Sequence, residues 1–386
     1  MDTNNFTLEK LSIDMVEEPN KEDRESVQDD EANLSARQQP EYPGEPNQLS
    51  KPDGKGTIDS PYTPHDTLLE GTQSVHSNDP NVTMIVATPS RRVWSLGSRY
   101  IVKEWICPHN DGNTEANATR LLRERGVDVP VPDILTSWKD KDWAFLISER
   151  LPGQPLMDVW PELSTEDRHR VAKQTADMVS KLRSITSNTC CAFDGGPIKD
   201  VNMLLATTTE GRRGSFGPLD SDAEVWEQMF QPRLDRQAKA RGGDGDDDHV
   251  VVDEEHHSHR DLVRKYMPAS GPPYVFTHGD LAFSNVLVAV DRDRDRDGNG
   301  KSANVSVSGV LDFEFSAYLP VWWEYVAAHF SSCRGDEEWK ELLRQYLEPH
   351  EQAIDWYLYW AELCKTPLPE DVGVWAQILA KHERAS

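Results

Sequence analysis

Apolar residues are spread unevenly along the chain. Through residues 1 to about 80 they stand singly among Glu, Asp, Asn, Gln, Ser and Pro, with no repeat of two or of 3.6 residues. KEDRESVQDDEANLSARQQPEYPGEPNQLSKPDGKG cannot bury enough apolar surface to offset ordering, so a disordered acidic leader is expected over 1–80. Patterned sequence begins near Val82 with the short apolar run TMIVAT. RRVWSLGSRYIVKEW then reads as a β-hairpin with Gly97 in its turn and alternation through Ile101, Lys103 and Trp105. NTEANATRLLRERG reads as a helix: Asn113 or Thr114 caps it, Leu121 and Leu122 supply an apolar face, and Gly126 ends it. VDVPVPDILTSW is extended, because each Pro removes a donor and restricts the residue before it. DWAFLISERLPGQPL is a buried strand running into a Pro/Gly connector.

From Ser164 the period becomes helical. STEDRHRVAKQTADMVSKLRSI opens with a Ser-x-x-Asp cap and lines up Val171, Thr175, Met178, Val179 and Leu182. Residues 188–270 are irregular with short helices such as EVWEQMF, and hold an acidic, His-bearing insert at about 240–260. Two strand patterns follow, VLVAV at 286–290 and VSVSGVL at 305–311; the tail from Val321 is helical and rich in Trp. The pattern predicts an α+β chain: a small β-rich N-lobe with one helix over 81–153, a Pro/Gly hinge, and a larger mainly helical C-lobe over 154–386. Two lobes imply a cleft between them, a usual place for a small-molecule site.

Composition narrows the function classes. The 386 residues carry a formal net charge of −26, much of it in the leader and in DGDDDHVVVDEE, which disfavours nonspecific binding to nucleic acid or anionic membrane. The opening MDTNNFTLEK has neither the basic nor the apolar segment of a signal peptide, and no run of eighteen apolar residues exists. The five Cys form no CxxC, which suits free thiols in a reducing, cytoplasmic setting better than disulfides or zinc.

The candidate chemistry lies in THGDLAFSNVLV, residues 277–288. His278, Asp280 and Asn285 interrupt an apolar run that a core strand would not give up to charge. If VLVAV and VSVSGVL pair as a hairpin, its open end brings Asn285 beside Asp312, with Glu314 following. An acid beside an amide carbonyl, with another carboxylate five residues before the amide, is oxygen-ligand chemistry suited to Mg²⁺ that keeps waters and meets a phosphate. Asp280 is then free to accept or orient a hydroxyl proton. Phosphoryl transfer also needs a cation on the phosphates, and strand Lys103 with helix Glu115 has that form. Ile101 and Leu287 would cover the two sides of an adenine.

HGDLAFSN, followed about thirty residues later by LDFEF and preceded by a strand Lys, a helix Glu and a SERLPG connector, resembles the aminoglycoside phosphotransferase and choline kinase family. The likeness is nearest to fungal aminoglycoside-phosphotransferase-like proteins through VPVP, Trp160, LRS at 182–184, DGGP at 194–197 and WWEY at 322–325, and it covers roughly residues 90–330. The resemblance implies a two-lobed protein-kinase-like fold and ATP- and Mg²⁺-dependent transfer of the γ-phosphate to a hydroxyl. It implies Asp280 as catalytic base or orienting group, and Asn285 and Asp312 as metal ligands, with Glu314 a second-metal or substrate contact. Lys103 would hold phosphates, Glu115 would anchor Lys103, backbone groups of Glu149 and Leu151 would meet the adenine edge, and His278 would fix the loop. There is no GxGxxG; RRVWSLGSR offers one Gly, so phosphate cover falls to a shorter hairpin turn, as is common in this branch.

Other strings invite chemistry and give it no support. HRDLVRKYM at 259–267 has Tyr266 where a metal-binding Asn is needed, and reads as a short helix ended by Pro268. DRDRDGNGKSAN lacks the bidentate Glu of a calcium loop, ending on Asn304. His256, His257 and His259 have no stiff scaffold for a metal, and Trp322 and Trp323 suit core packing better than a cation cage. Ala282 stands where Ser/Thr protein kinases place a Lys, and LDFEFSAYLPVWWEY leaves no room for a long activation segment, so a small-molecule hydroxyl is the expected acceptor. The alternative is a noncatalytic kinase-like binding or scaffold protein.

Overall fold

The alternating N-terminal pattern folds into a five-stranded antiparallel sheet. Its strands are β1 (Val82–Ala87), β2 (Arg91–Leu96) and β3 (Tyr100–Ile106), then, after helix α1 (Thr114–Glu124), β4 (Ile134–Asp140) and β5 (Trp143–Glu149), in the order β1-β2-β3-β5-β4. Gly97 closes the β2–β3 turn at φ 59°, and Gly126 ends α1 at φ 63°, both in the left-handed region that a Cβ disfavours. The computed structural model describes residues 81–107, 114–199, 215–241, 254–291, 304–330, 335–364 and 372–383. The expected leader, residues 242–253 of the expected insert and the loop 292–303 lie outside the described residues.

The chain continues through β6 (Gln154–Pro155), α2 (Leu156–Val159), α3 (Thr165–Leu182), β7 (Thr186–Ser187) and the pair β8 (Ile198–Lys199) and β9 (Ser215–Phe216). Next come α4 (Asp222–Val225), a π-helical turn (Trp226–Phe230), α5 (Gln231–Arg241), α6 (Glu254–Lys265), β10 (Tyr274–Thr277), β11 (Val286–Asp291) and β12 (Asn304–Val310). A 3-10 turn (Phe313–Phe315), β13 (Ala317–Leu319), α7 (Trp323–Ala327), α8 (Glu337–Arg344), α9 (Glu351–Leu363) and α10 (Val372–Glu383) complete it. This is the α+β order expected: one sheet with one helix, then a mainly helical part. Ser164 caps α3, its hydroxyl accepting from the Asp167 amide, as the Ser-x-x-Asp pattern predicts.

The expected hairpin is present. β11 and β12 pair antiparallel from Val286 opposite Val310 to Asp291 opposite Asn304, and the Leu311 amide donates to Asn285 O at 2.9 Å just beyond. The connector is stitched onto it. Ser308 Oγ donates to Pro152 O at 2.6 Å, and Leu287 pairs with Pro155. Gly153 makes this approach possible: at φ 103°, a Cβ there would lie 2.6 Å from Val288 O. The segment YVFT is more than a lead-in, for β10 is the centre of a three-stranded sheet between β13 and β7, with all four of its residues buried.

The larger core is aromatic. Phe230 sits edge-on to Trp356 and Trp360 at 4.8 and 5.3 Å between centroids, and Trp322 stacks on Trp323 at 5.5 Å. Trp356 Nε1 donates to Val263 O and Trp360 Nε1 to Phe230 O, while Trp322 Nε1 and Trp323 Nε1 have no hydrogen-bond partner among the described residues. Phe230 is fully buried at this junction. Phe230→Ala should therefore cost about 3–5 kcal/mol and lower the melting midpoint of the C-terminal part by calorimetry; an unchanged midpoint would show the cluster is not what holds it.

Candidate active site

Strand pairing decides which side chains share a face. Val93 pairs with Lys103 and Arg91 with Trp105, so Arg91, Val93, Ile101 and Lys103 project to one side of the sheet. The first turn of α1 carries Glu115 to that side. Lys103 Nζ donates to Glu115 Oε1 at 2.8 Å and Oε2 at 2.9 Å, and lies 3.4 Å from Asp312 Oδ1. The Lys103 and Glu115 side chains are 12% and 6% exposed. An ion pair this enclosed is costly to break, because removing one partner strands the other's charge away from water, a loss of about 3–5 kcal/mol.

The loop between β10 and β11 is fixed from several directions. Glu324, buried in α7, accepts from the amides of His278 at 2.8 Å and Gly279 at 3.1 Å through one oxygen. His278 is fully buried; its Nε2–H donates to Leu311 O at 2.9 Å, while Nδ1 accepts from the Asp280 amide at 3.2 Å. Its ring meets the Phe313 ring at 4.6 Å. His278 thus ties the Asp280 loop to the Asp312 turn, the structural role expected of it. Gly279, at φ 81°, lets Phe315 O approach: a Cβ there would stand 3.1 Å from that oxygen. Trp339 Nε1 donates to Leu281 O at 3.0 Å. Asn285 Nδ2 donates to Asp280 O at 2.9 Å and to Asp280 Oδ2 at 3.3 Å. Asp280 Oδ1 is buried and has no hydrogen-bond partner among the described residues. A buried carboxylate oxygen in that condition carries a desolvation cost that an incoming hydroxyl could relieve.

Asp312 adopts φ 66°, ψ 56°, a left-handed conformation unusual for a residue with a side chain. Its carboxylate faces two cations. Besides Lys103, Arg91 spans it, NH1 to Oδ2 and NH2 to Oδ1 both at 3.3 Å, and Arg91 NH2 reaches Glu314 Oε2 at 2.5 Å. Burial alone would raise the Asp312 carboxyl, but Lys103 and Arg91 outweigh it and hold the group well below the usual carboxylate range. Glu314 goes the other way: burial and the Asp312 charge push it up to about 7, against the pull of Arg91. Burial opposes the charge on Lys103, yet Asp312 and Glu115 keep its ammonium form favoured above the usual range.

The residues that the sequence singled out fall into two groups. Lys103, Glu115, Asp312 and Glu314 form one charge cluster; Asp280 and Asn285 are hydrogen-bonded to each other, and Asn285 O is joined to the Asp312 turn through Leu311. Leu151 and Leu287 meet over Gly309, where a Cβ would lie 2.6 Å from Leu151 Cδ1 and 3.2 Å from Leu287 Cδ1. Ile101 lies between Ser95 and Ser148 in the sheet, on the Lys103 face. The Glu149 amide donates to Asp133 O at 2.8 Å, which commits that group within the protein. The turn near Asp312 differs from the expected one. Gly97 closes the far end of β2, whereas Arg91 at its start reaches Asp312, so the β1–β2 turn at residues 88–90 is the one at the site end of the sheet.

Arg91, Glu324 and Trp339 are contributors that sequence reasoning passed over. Arg91 could have been found, since it lies two residues before the strand partner of Lys103 on the same face. Glu324 is marked only by its place in WWEY, and nothing local signals Trp339. The decoys behave as expected: HRDLVRKYM lies in α6 and the turn after it, with His259 Nδ1 2.5 Å from Tyr359 OH, and Trp322 and Trp323 are buried. The side chains of His256 and His257 and residues 293–303 of the calcium-loop-like string lie outside the described residues; its last residue, Asn304, begins β12. Cys107, Cys190, Cys191 and Cys364 are buried and form no disulfide among the described residues; Cys333 lies outside them. No described helix is long and apolar enough to cross a membrane.

Among the described residues no group of three or more His, Cys, Asp or Glu converges on a metal position. The donor set is instead the carboxylates of Asp312 and Glu314, already gathered round a cation, Arg91, with the Asn285 amide hydrogen-bonded to Asp280 on the neighbouring loop. That set fits a hard ion that retains water ligands. The Glu314 shift has a consequence for stability. Its folded value of about 7 lies above the ordinary 4.5, so the folded state binds the extra proton between them, and the contribution present below about 4.5 is lost as pH rises through about 7. With a third of the side chain exposed, the loss should be on the order of 1–2 kcal/mol. Glu314→Gln should therefore gain melting temperature relative to the parent as pH rises from 4.5 to 8; a constant gap would contradict the shift.

Residues 89–357 match the Phosphotransferase enzyme family, APH. No curated protein matches the chain. Solved structures with a similar course include the streptomycin–ATP ternary complex of APH(2")-IIa, at 11% identity and TM-score 0.44 over 78% of this chain and 90% of that one. The aminoglycoside phosphotransferase APH(4)-Ia, as a thermostable mutant in its apo form, gives 13% identity and TM-score 0.42 over 78% and 92%. The macrolide 2'-phosphotransferase MphH from Brachybacterium faecium, as apoenzyme, gives 17% and 0.42 over 79% and 89%.

Proposed function

The chain belongs to the phosphotransferase enzyme family, and from that premise we propose that it transfers the γ-phosphate of ATP, with Mg²⁺, to a hydroxyl group of a small molecule. The observation that carries this reading is the meeting of Lys103, Glu115 and Asp312, the first and last 209 positions apart, at 2.8 to 3.4 Å. The nucleotide part would be 81–153 and the part carrying the catalytic loop and acceptor 154–386, divided at the connector before β6.

In this reading Asn285, Asp312 and Glu314 would hold Mg²⁺, which would supply positive charge to the phosphate oxygens. Lys103 donates to phosphate oxygens, and Glu115 keeps its Nζ aimed. Asp280 Oδ1 takes the proton of the acceptor hydroxyl as that oxygen attacks the γ-phosphorus; the bond to the bridging oxygen breaks and ADP leaves. Asn285 Nδ2 on Asp280 Oδ2 orients the carboxylate so that Oδ1 faces the acceptor. Glu324 and Trp339 hold the loop from behind. Leu151, Leu287 and Ile101 offer apolar cover for the adenine, and with the Glu149 amide engaged, hydrogen bonding at the adenine edge would fall to the Glu149 carbonyl and the Leu151 backbone. Ala282 in place of a Lys supports a small acceptor.

One observation favours a second reading. Arg91 across Asp312 and Glu314 would also suit a noncatalytic protein whose site is closed by its own cation. Saturating Mg²⁺-ATP should raise the melting temperature if the enzyme reading holds; an unmoved midpoint favours the second. With a panel of hydroxylated metabolites, Asp280→Ala should lower ATP-dependent phosphorylation by about 10²–10⁴-fold while leaving the Mg²⁺-ATP thermal shift in place. Turnover that survives the change would remove Asp280 from its role.

A further inference from the structure

The contact that most needs explaining is a guanidinium resting where a metal ion is expected. Asp312 and Glu314 are two residues apart, and their carboxylates repel unless a cation lies between them. Lys103 cannot supply all of that charge, since its short contacts at 2.8 and 2.9 Å go to Glu115 and its approach to Asp312 is 3.4 Å. Arg91 supplies the rest, touching both Asp312 oxygens and Glu314 Oε2. A guanidinium has five donors in a planar fork and is never deprotonated in proteins, so it matches two carboxylates well.

The same oxygens cannot serve both cations. Mg²⁺ takes its ligands at about 2.0–2.1 Å, and a guanidinium on those lone pairs would face a divalent charge at contact distance. The backbone of Arg91 is anchored: its carbonyl accepts from the Thr88 amide at 2.8 Å and from Thr88 Oγ1 at 3.2 Å. The side chain, 21% exposed, is a flexible tether that can leave without unmaking the strand. It leaves from the β1–β2 turn, at the site end of the sheet, where a nucleotide brings phosphate.

We propose that Arg91 is an internal cation which occupies the metal site of the nucleotide-free protein and yields it when Mg²⁺ arrives with nucleotide, exchanging carboxylate for phosphate. This rests on the phosphotransferase reading and adds a gate to it. Arg91 disfavours metal alone and is released by metal plus phosphate, so it is a positioning residue that couples the two ligands.

The test is Mn²⁺ binding, followed by electron paramagnetic resonance without nucleotide, in the parent, Arg91→Met, Arg91→Lys and Arg92→Met. Arg92 is its neighbour on the opposite face, bonded to Glu104 at 3.2 Å, and controls for loss of one positive charge. Arg91→Met should bind Mn²⁺ about tenfold tighter or more than the parent, against less than about threefold for Arg92→Met. Arg91→Lys, which keeps the charge and loses the fork, should lie between, and decides the matter should the Met variant fail to fold. ATP binding in EDTA should weaken in Arg91→Met. Equal Mn²⁺ affinity in Arg91→Met and Arg92→Met, in a parent that binds Mg²⁺-ATP, would overturn the gate and leave the phosphotransferase reading standing. Failure of every form to bind Mn²⁺, with or without ATP, would overturn both.

Discussion

Two carboxylates two residues apart, on a tight turn and largely removed from water, are the constraint on which the site depends. Left alone, Asp312 and Glu314 would repel, and burial would favour taking up protons. The sheet answers with two cations on one face, Lys103 and Arg91, and α1 answers Lys103 in turn with Glu115. These contacts join a strand, a helix and a turn far apart in sequence. They hold Asp312 ionised and leave Glu314 poised near neutrality, so the sheet and the β11–β12 hairpin are related through charge as well as packing.

Behind the charges stands a rigid frame. Glu324 gathers two amides of the loop before β11, His278 ties that loop to Leu311, and Trp339 holds Leu281. All three come from buried positions. The aromatic core round Phe230 packs on Trp323 of α7, the helix that carries Glu324, while Trp339 of α8 sits edge-on to Trp160. Asp280 Oδ1 is one of nine buried side-chain atoms without a hydrogen-bond partner among the described residues, and the only carboxylate oxygen of the nine. A frame of this kind holds the Asp280 carboxylate without the flexibility that would blur its direction.

Much of this was legible in the chain. Period-two alternation located β2 and β3, the Ser-x-x-Asp cap located α3, and the runs VLVAV and VSVSGVL located the β11–β12 hairpin. What escaped had physical reasons. The turn beside Asp312 is β1–β2 rather than β2–β3, because the short run at Val82 pairs in front of Arg91 and leaves the Gly97 turn at the far end of the sheet. The strand role of YVFT depends on pairing with residues far along the chain. Glu324 and Trp339 act through single long-range hydrogen bonds, to which neither periodicity nor motif is sensitive. Arg91 was hidden by an ordinary-looking Arg-Arg pair, whose two members the strand sends to opposite faces.

The central claim is that the Asp312 cluster is built to receive a divalent cation together with phosphate. Calorimetric titration of ATP at increasing Mg²⁺ concentration tests it most directly. ATP affinity should rise with Mg²⁺ in the parent protein, and that dependence should disappear in Asp312→Asn while residual metal-independent binding persists. Affinity that ignores Mg²⁺ in the parent, or that follows it equally in Asp312→Asn, would contradict the account.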